Sequence, residues 1–263
     1  MDIVVCVKQV PDTTDIKVDP ETGTLKRETA GTTMNPFDMY AVEEGLRLKE
    51  KLGGKVTVVT MGPPMAKEML KIAIAMGVDE AVLLSDRALA GSDTWATSYA
   101  VAQMCKKLGY NMILFGKQAI DGDTAQVGPS VAEYLDIPCV TWVKKVREVS
   151  ETEITVERMM EDGVDVVKAT LPVALTVVKE INEPRLESLK GKMRAKKYEV
   201  PTWSLADVNG DPAMVGLKNS PTRVAKSWSP ERKFGKAEMI DGADAAEKAD
   251  KVFNRVKDLG FIK

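Results

Sequence analysis

Between Phe115 and Ser130 lies the stretch whose residue types most invite chemistry: Gly116-Lys117-Gln118-Ala119-Ile120-Asp121-Gly122-Asp123-Thr124-Ala125-Gln126-Val127-Gly128-Pro129. Strand-like residues precede it and helix-like residues follow, and in an open parallel sheet ligands bind beyond the carboxyl ends of the strands. Gly116 and Gly122 permit close backbone approach. Asp123 and Gln126 stand at capping-box-like spacing, and a helix starting near Thr124 would offer free N–H groups and a positive dipole end to a phosphate. Thr124 and Gln126 would add hydrogen bonds without adding charge. Pro129 argues for a start nearer Gln126 or Val127. The same residues also suit a plain strand-to-helix turn with a capped helix, and no single one is diagnostic.

What is missing narrows the chemistry. The 263 residues include no histidine, which removes Ser-His-Asp and Cys-His machinery and every His-containing metal set. There is no G-x-x-x-x-G-K-[ST] loop and no G-x-G-x-x-G fingerprint. Cys6, Cys105 and Cys139 are scattered and read as reduced, buried residues. Any chemistry here therefore falls to a cofactor, with no catalytic side chain and no metal expected. A net charge of −2 gives no global bias toward nucleic acid or anionic membrane. No apolar run reaches eighteen residues. The opening Met-Asp runs straight into a strand-like segment without a basic leader, so a cytoplasmic, prokaryotic protein is expected.

The elements that must position the glycine-rich stretch alternate in the first two-thirds of the chain. Strands are predicted at Ile3–Val7, Val56–Met61, Ala81–Leu84 and Met112–Phe115. Helices are predicted at Asp38–Leu52, Met65–Met76 (stopped by Gly77), Thr94–Leu108 (stopped by Gly109) and about Thr124–Leu135. Repeated units of this kind imply an α/β fold, a mostly parallel sheet with helices on both faces. After Pro138 the segments Val140–Val149, Glu153–Met159, Val164–Ala169 and Val173–Val178 predict antiparallel strands extending the sheet edge. From Asn182 the chain becomes basic, with twelve Lys/Arg against five Asp/Glu between 185 and 236, and a last helix is expected over Asp244–Leu259. That region is a partner-wrapping arm or a tail. Trp95, Trp142, Trp203 and Trp228 read as packing residues, and the fourteen methionines as gap-fillers.

The run GKQAIDGDTAQVGPSVAEYLDIP resembles the signature of electron-transfer flavoprotein beta subunits. VVCVKQVPDT, NPFDMYAVEEGLRLKE, VTVVTMGPP with AMGVDEAVLL, and INEPRLESL match the same family in the same order. The resemblance covers most of residues 1–200; beyond, GLKNSPTRVAKSW is similar to the tail of electron-bifurcating, NADH-using members. It implies a Rossmann-like, doubly wound domain of the adenine-nucleotide-binding type over 1–200, including a partner-recognition loop at 182–197. Residues 201–263 would form an extended C-terminal arm and helix packing on an alpha subunit that carries one FAD. The resemblance further implies that a second nucleotide is contacted at Cys6, at Asn35, Pro36, Phe37 and Asp38, at Met61, and along Gly116 to Val127. That ligand is AMP, with a structural role, in single-flavin members, and a second FAD in bifurcating ones.

Ala90-Gly91-Ser92-Asp93-Thr94-Trp95-Ala96-Thr97 is similar to the corresponding loop of bifurcating members. Ala90, Asp93, Thr94 and Thr97 would then meet the polar edge of the isoalloxazine, although Ser92, Asp93 and Thr94 also suit a simple helix cap. The bifurcating reading implies an FAD that takes hydride from NADH and sends one electron to the alpha-subunit FAD and an acyl-CoA dehydrogenase, the other to ferredoxin or flavodoxin. The conventional reading implies AMP here and docking of acyl-CoA dehydrogenases. Leu189 matches the residue that anchors the dehydrogenase, though taken alone it reads first as an ordinary apolar residue of a short amphipathic helix. Lys190, Lys192, Arg194, Lys196 and Lys197 are a solvated face or a steering patch for an acidic partner. An independent nucleotide hydrolase or ligase would want a Ser/Gly-rich loop where this chain has Lys8-Gln9-Val10-Pro11-Asp12.

Overall fold

A computed structural model describes residues 1–12, 31–225 and 237–262. Trp228 and the end of the basic stretch lie outside them. Internal contacts divide the chain into Met1–Ser227 and Trp228–Lys263.

The first unit alternates as its punctuation dictates. β1 (Asp2–Cys6) is followed by a small antiparallel pair, β2 (Gln9–Pro11) and β3 (Thr32–Met34). α1 (Pro36–Leu52) starts with Pro36 in its first turn, where a missing N–H costs nothing, and stops at Gly53 with φ +73°. β4 (Lys55–Met61), α2 (Lys67–Met76) and β5 (Glu80–Leu84) come next, α2 ending at Gly77 with φ +121°. α3 (Thr94–Leu108) begins at Asp93, whose carboxylate accepts the Ala96 N–H, and ends at Gly109. β6 (Met112–Gly116) and α4 (Val127–Leu135) complete the alternation. There follow β7 (Cys139–Val149), β8 (Glu153–Met159), β9 (Val164–Thr170), β10 (Val173–Val177), α5 (Leu189–Lys197) and the short β11 (Thr202–Trp203).

Nine strands form one sheet in the order β11-β5-β4-β1-β6-β10-β7-β8-β9. Among the described residues, only the β7–β8 and β8–β9 pairings of this sheet are antiparallel. Val173–Val177 departs from its expected place on the antiparallel edge. It lies inside the sheet, parallel to both β6 and β7, with all five residues buried. The chain makes its meander outward and then returns to the interior, and an unbroken buried run is what a two-sided parallel strand requires.

Side chains alternate across the strands, so each face has its own core. Ile3, Val5, Val58, Leu83, Leu114 and Leu175 pack with α1 and α2. Val4, Val59, Leu84, Ile113, Phe115 and Ala174 pack with α3 and α4. α5 lies against α2 through Gly191, where a β-carbon would overlap the Ala75 carbonyl.

In the second unit, α6 (Ala245–Asp258) carries reciprocal caps. Asp244 accepts the Glu247 N–H at 2.9 Å, and Glu247 accepts the Ala243 N–H at 2.7 Å. Among the described residues no helix is long and apolar enough to cross a membrane.

Candidate functional site

From β1 the chain moves to β4 and β5 on one side, then returns to β6 and β10 on the other. The direction of winding reverses between β1 and β6, so a crevice opens beyond their carboxyl ends, the place where open α/β sheets bind ligands.

Two residues before α1 and in its first turn tie the floor of this crevice together. Asn35, fully buried, donates from Nδ2 to the Gln118 carbonyl at 2.8 Å and accepts the Ile120 N–H on Oδ1 at 3.1 Å. Its side chain thereby fixes a loop more than eighty residues away. Asp38 accepts the Lys8 N–H at 2.7 Å and the Gly116 N–H at 3.2 Å, joining the chain just past β1 to the end of β6. Burial raises the Asp38 carboxyl from an ordinary 3.8 to about 7, against the pull of Asn35 and of these two N–H donors. Gly116 must be glycine here because a β-carbon would overlap the Asp38 carboxylate and the Phe37 backbone. Pro36 is the first helical residue, and Phe37 stands under the Lys117 ammonium, 5.5 Å from it. Lys117 also lies 4.3 Å from the Trp142 ring centroid, a second cation–π contact.

The loop from Gly116 to Gln126 is further held by side chains from within and outside it. Lys8 reaches across to Asp121 at 2.6 Å, and Gln118 donates to Asp123 at 2.7 Å. The Ala119 carbonyl accepts the Asp123 N–H at 2.9 Å and the Gly122 N–H at 3.4 Å. Asp123 and Ala125 take φ of 50° and 53°, a left-handed backbone that non-glycine residues adopt at some cost and that clusters at ligand sites. Thr124 and Ile120 are exposed.

The capping expectation for this loop is corrected. α4 starts at Val127, and its N-cap Gln126 makes no side-chain cap. Asp123 is already engaged by Gln118, while the Gln126 amide oxygen accepts the Thr94 hydroxyl at 2.8 Å. The spacing resembles a capping box, but with left-handed turns at Asp123 and Ala125 the helix does not begin until Val127, which leaves Asp123 short of the cap position. α4 therefore presents its first turn without a side-chain cap, which suits a phosphate. Gly128, in that turn, packs so closely that a β-carbon would lie 2.7 Å from Thr176 Cγ2.

The Thr94–Gln126 bond joins a third loop, the one after β5, to the same crevice. Asp93 caps α3, and its carbonyl accepts the Thr97 N–H at 2.9 Å. Ala90 accepts the Leu217 N–H at 3.1 Å. Cys6, half-buried at the end of β1, has its thiol pushed up by burial, with Cys105 of α3 beside it and Asp38 adding to the effect. Met61 ends β4 at the same edge of the sheet.

Leu189 stands elsewhere. It opens α5 after the cap Ser188 and is 78% exposed, near Leu186 at 92% and Met193 at 61%. Arg185 pins the preceding segment to α1 through Glu43 at 2.8 Å and Glu50 at 2.6 Å, and Asn182 donates to the Tyr40 carbonyl at 3.1 Å. Arg194 is committed to the Val78 and Asp79 carbonyls, and Lys192 pairs with Glu187. Sequence reasoning passed over Lys8, Ser220 and Thr222 as individual residues. Their only signal was membership of VVCVKQVPDT and GLKNSPTRVAKSW.

A family model described as "Electron transfer flavoprotein domain" matches residues 22–208. The chain is 49% identical to "Electron transfer flavoprotein subunit beta" of Clostridium acetobutylicum, over the full length of both. It is 46% identical to "Caffeyl-CoA reductase-Etf complex subunit CarD" of Acetobacterium woodii, again over both full lengths. It is 45% identical to "Protein FixA" of Azotobacter vinelandii, covering 94% of this chain and 91% of that protein.

Proposed function

The chain belongs to the electron transfer flavoprotein family, as a beta subunit, and on that premise we propose that it works in the cytoplasm, paired with an alpha subunit, holding FAD in the crevice beyond β1 and β6. The FAD, when bound, would supply the redox chemistry, namely acceptance of hydride from NADH and one-electron delivery toward the alpha-subunit FAD and toward a ferredoxin or flavodoxin.

The observation that carries this reading is the convergence of three loops at the winding reversal. Asn35 and Asp38 anchor the loop after β6, and Thr94 bonds Gln126 from the loop after β5. The bare first turn of α4 suits the phosphates, and the loop past β5, joined to it through Thr94, brings further polar groups to the same place. Ala90, Thr94 and Thr97 then serve the polar edge of the ring, while Cys6, Met61, Asn35 to Asp38 and Gly116 to Val127 shape the remainder. The residues bind and orient; none needs to move a proton.

Flavin content of the heterodimer tests this directly. Two FAD per heterodimer, bleached by NADH, is the expected outcome. One FAD with one AMP, unresponsive to NADH, would replace the reading with that of a structural AMP site.

The segment before α5 is proposed as the dock for an acyl-CoA dehydrogenase-type partner. Support comes from Leu186 and Leu189, apolar and exposed on a segment that Arg185 holds in place, and from a relative whose name places it in a complex with a CoA-ester reductase. Leu189→Ala should slow electron transfer to that dehydrogenase at least about tenfold, as loss of an apolar anchor does, without altering bleaching by NADH. Unchanged transfer would remove the segment from the interface.

A further inference from the structure

The loop after β5 is set in place by a segment more than a hundred residues downstream. Asp93 Oδ2 accepts both the N–H and the hydroxyl of Thr222, each at 2.8 Å, while Oδ1 keeps the Ala96 N–H at 3.0 Å. The Asp93 N–H donates to Ser220 Oγ at 2.9 Å, and that hydroxyl donates to the Gly216 carbonyl at 2.9 Å. The Gly216 N–H donates to Ser92 Oγ at 2.8 Å. The Leu217 N–H, as noted, reaches the Ala90 carbonyl.

Two glycines in the left-handed region let the strands of this knot close. A β-carbon on Gly91 would lie 2.9 Å from Leu217 Cβ, and one on Gly216 would lie 2.5 Å from the Ala88 carbonyl. Asn219 fastens the segment's root by donating to the Pro212 and Val215 carbonyls, and Val215 is buried in the core beneath α3. Three donors occupy the Asp93 carboxylate. Although burial opposes it, they hold the group below the usual carboxylate range, so it stays an anion.

We propose that Gly216–Thr222 is a clasp, and that Asp93 and Thr222 are positioning residues for the flavin rather than groups that touch it. The clasp fixes Asp93, and Asp93 fixes the adjoining Thr94, which reaches Gln126 at the mouth of α4. The ring end of the crevice is thereby preformed, so little ordering remains to oppose binding. Asn35 and Asp38 bond to Gln118, Ile120, Lys8 and Gly116, none of them in the clasp. This rests on FAD being the ligand of the crevice.

The test compares the wild-type heterodimer with Thr222→Val, which removes the hydroxyl and keeps the N–H, and with Thr222→Ser, which restores the hydroxyl. Each is freed of loosely held nucleotide and titrated with FAD and, separately, with AMP; the midpoint potential of the beta-site flavin is also measured. Thr222→Val should weaken FAD binding about tenfold, the scale of a lost bond to a charged acceptor. It should also shift the potential and leave AMP binding unchanged, and Thr222→Ser should return both FAD readings to wild type. FAD affinity and potential unmoved in Thr222→Val would overturn the clasp, as would equal losses of FAD and AMP. A wild-type heterodimer that binds AMP and no FAD at this site would overturn the flavin reading, and the clasp's role with it.

Discussion

Asp38 sits where two peptide N–H groups favour its ionised form and a desolvated niche favours its neutral one, and the niche dominates. Around it are Asn35, Lys8, Gly116 and Cys6; the Lys8 ammonium favours the anion, but its bond to Asp121 draws it toward the loop. The folded chain therefore keeps a proton that the unfolded chain releases above 3.8, up to about 7. With more protons bound in the folded state across that window, stability falls as pH rises through it and levels off above. Urea midpoints measured across this range should show that decline in the wild type and a flatter profile in Asp38→Asn. Equal slopes in both would place the proton elsewhere. In the sequence, Asp38 opens a predicted helix and belongs to a nucleotide-contact motif. Its two backbone partners, Lys8 just past β1 and Gly116 at the end of β6, are far apart in the chain, so no local spacing reveals them.

At the scale of elements, Arg185 is the fastening between α1 and the segment that leads to α5. Its fork engages Glu43, which is almost wholly buried, and Glu50, which is not. Arg185→Leu leaves Glu43 with Arg47 and the residue-185 backbone N–H, and should cost about 1–3 kcal/mol, the range for taking a partner from a buried polar group. Amide exchange between 182 and 189 should quicken by more than exchange in α1, whereas uniform quickening would mean a global loss only. The limits of α3 were legible because a local cap, Asp93, and a glycine stop, Gly109, both lie in the sequence beside them. The start of α4 was half legible. Pro129 argued for a later start, but the left-handed turns at Asp123 and Ala125 leave no mark in residue type. β10 was legible as a strand and not as a parallel one, since its neighbours are chosen by packing against β6 rather than by the adjoining meander. β2, β3 and β11, of three, three and two residues, are too short to show a period. Of the crevice, the residues were readable as a motif, while the Thr94–Gln126 bond and the Thr222 latch, each spanning loops far apart in sequence, were not.

For the whole molecule, among the described residues both cores draw on none later than Val215. A chain ending at Ser227 should therefore unfold in one cooperative transition, with its midpoint within about 3 °C of the full-length subunit's. Loss of that transition would show that the first unit is not self-sufficient. The division of the hydrophobic core into two faces has a mechanical consequence. Asn35 and Asp38 belong to the start of α1 on one face, whereas Thr94 and Gln126 stand at the starts of α3 and α4 on the other. A nucleotide gripped from both sides acts as a rivet through a laminate of three plies. Its binding energy is then shared between layers whose side chains the sheet keeps apart, and its removal should let both helical plies loosen together.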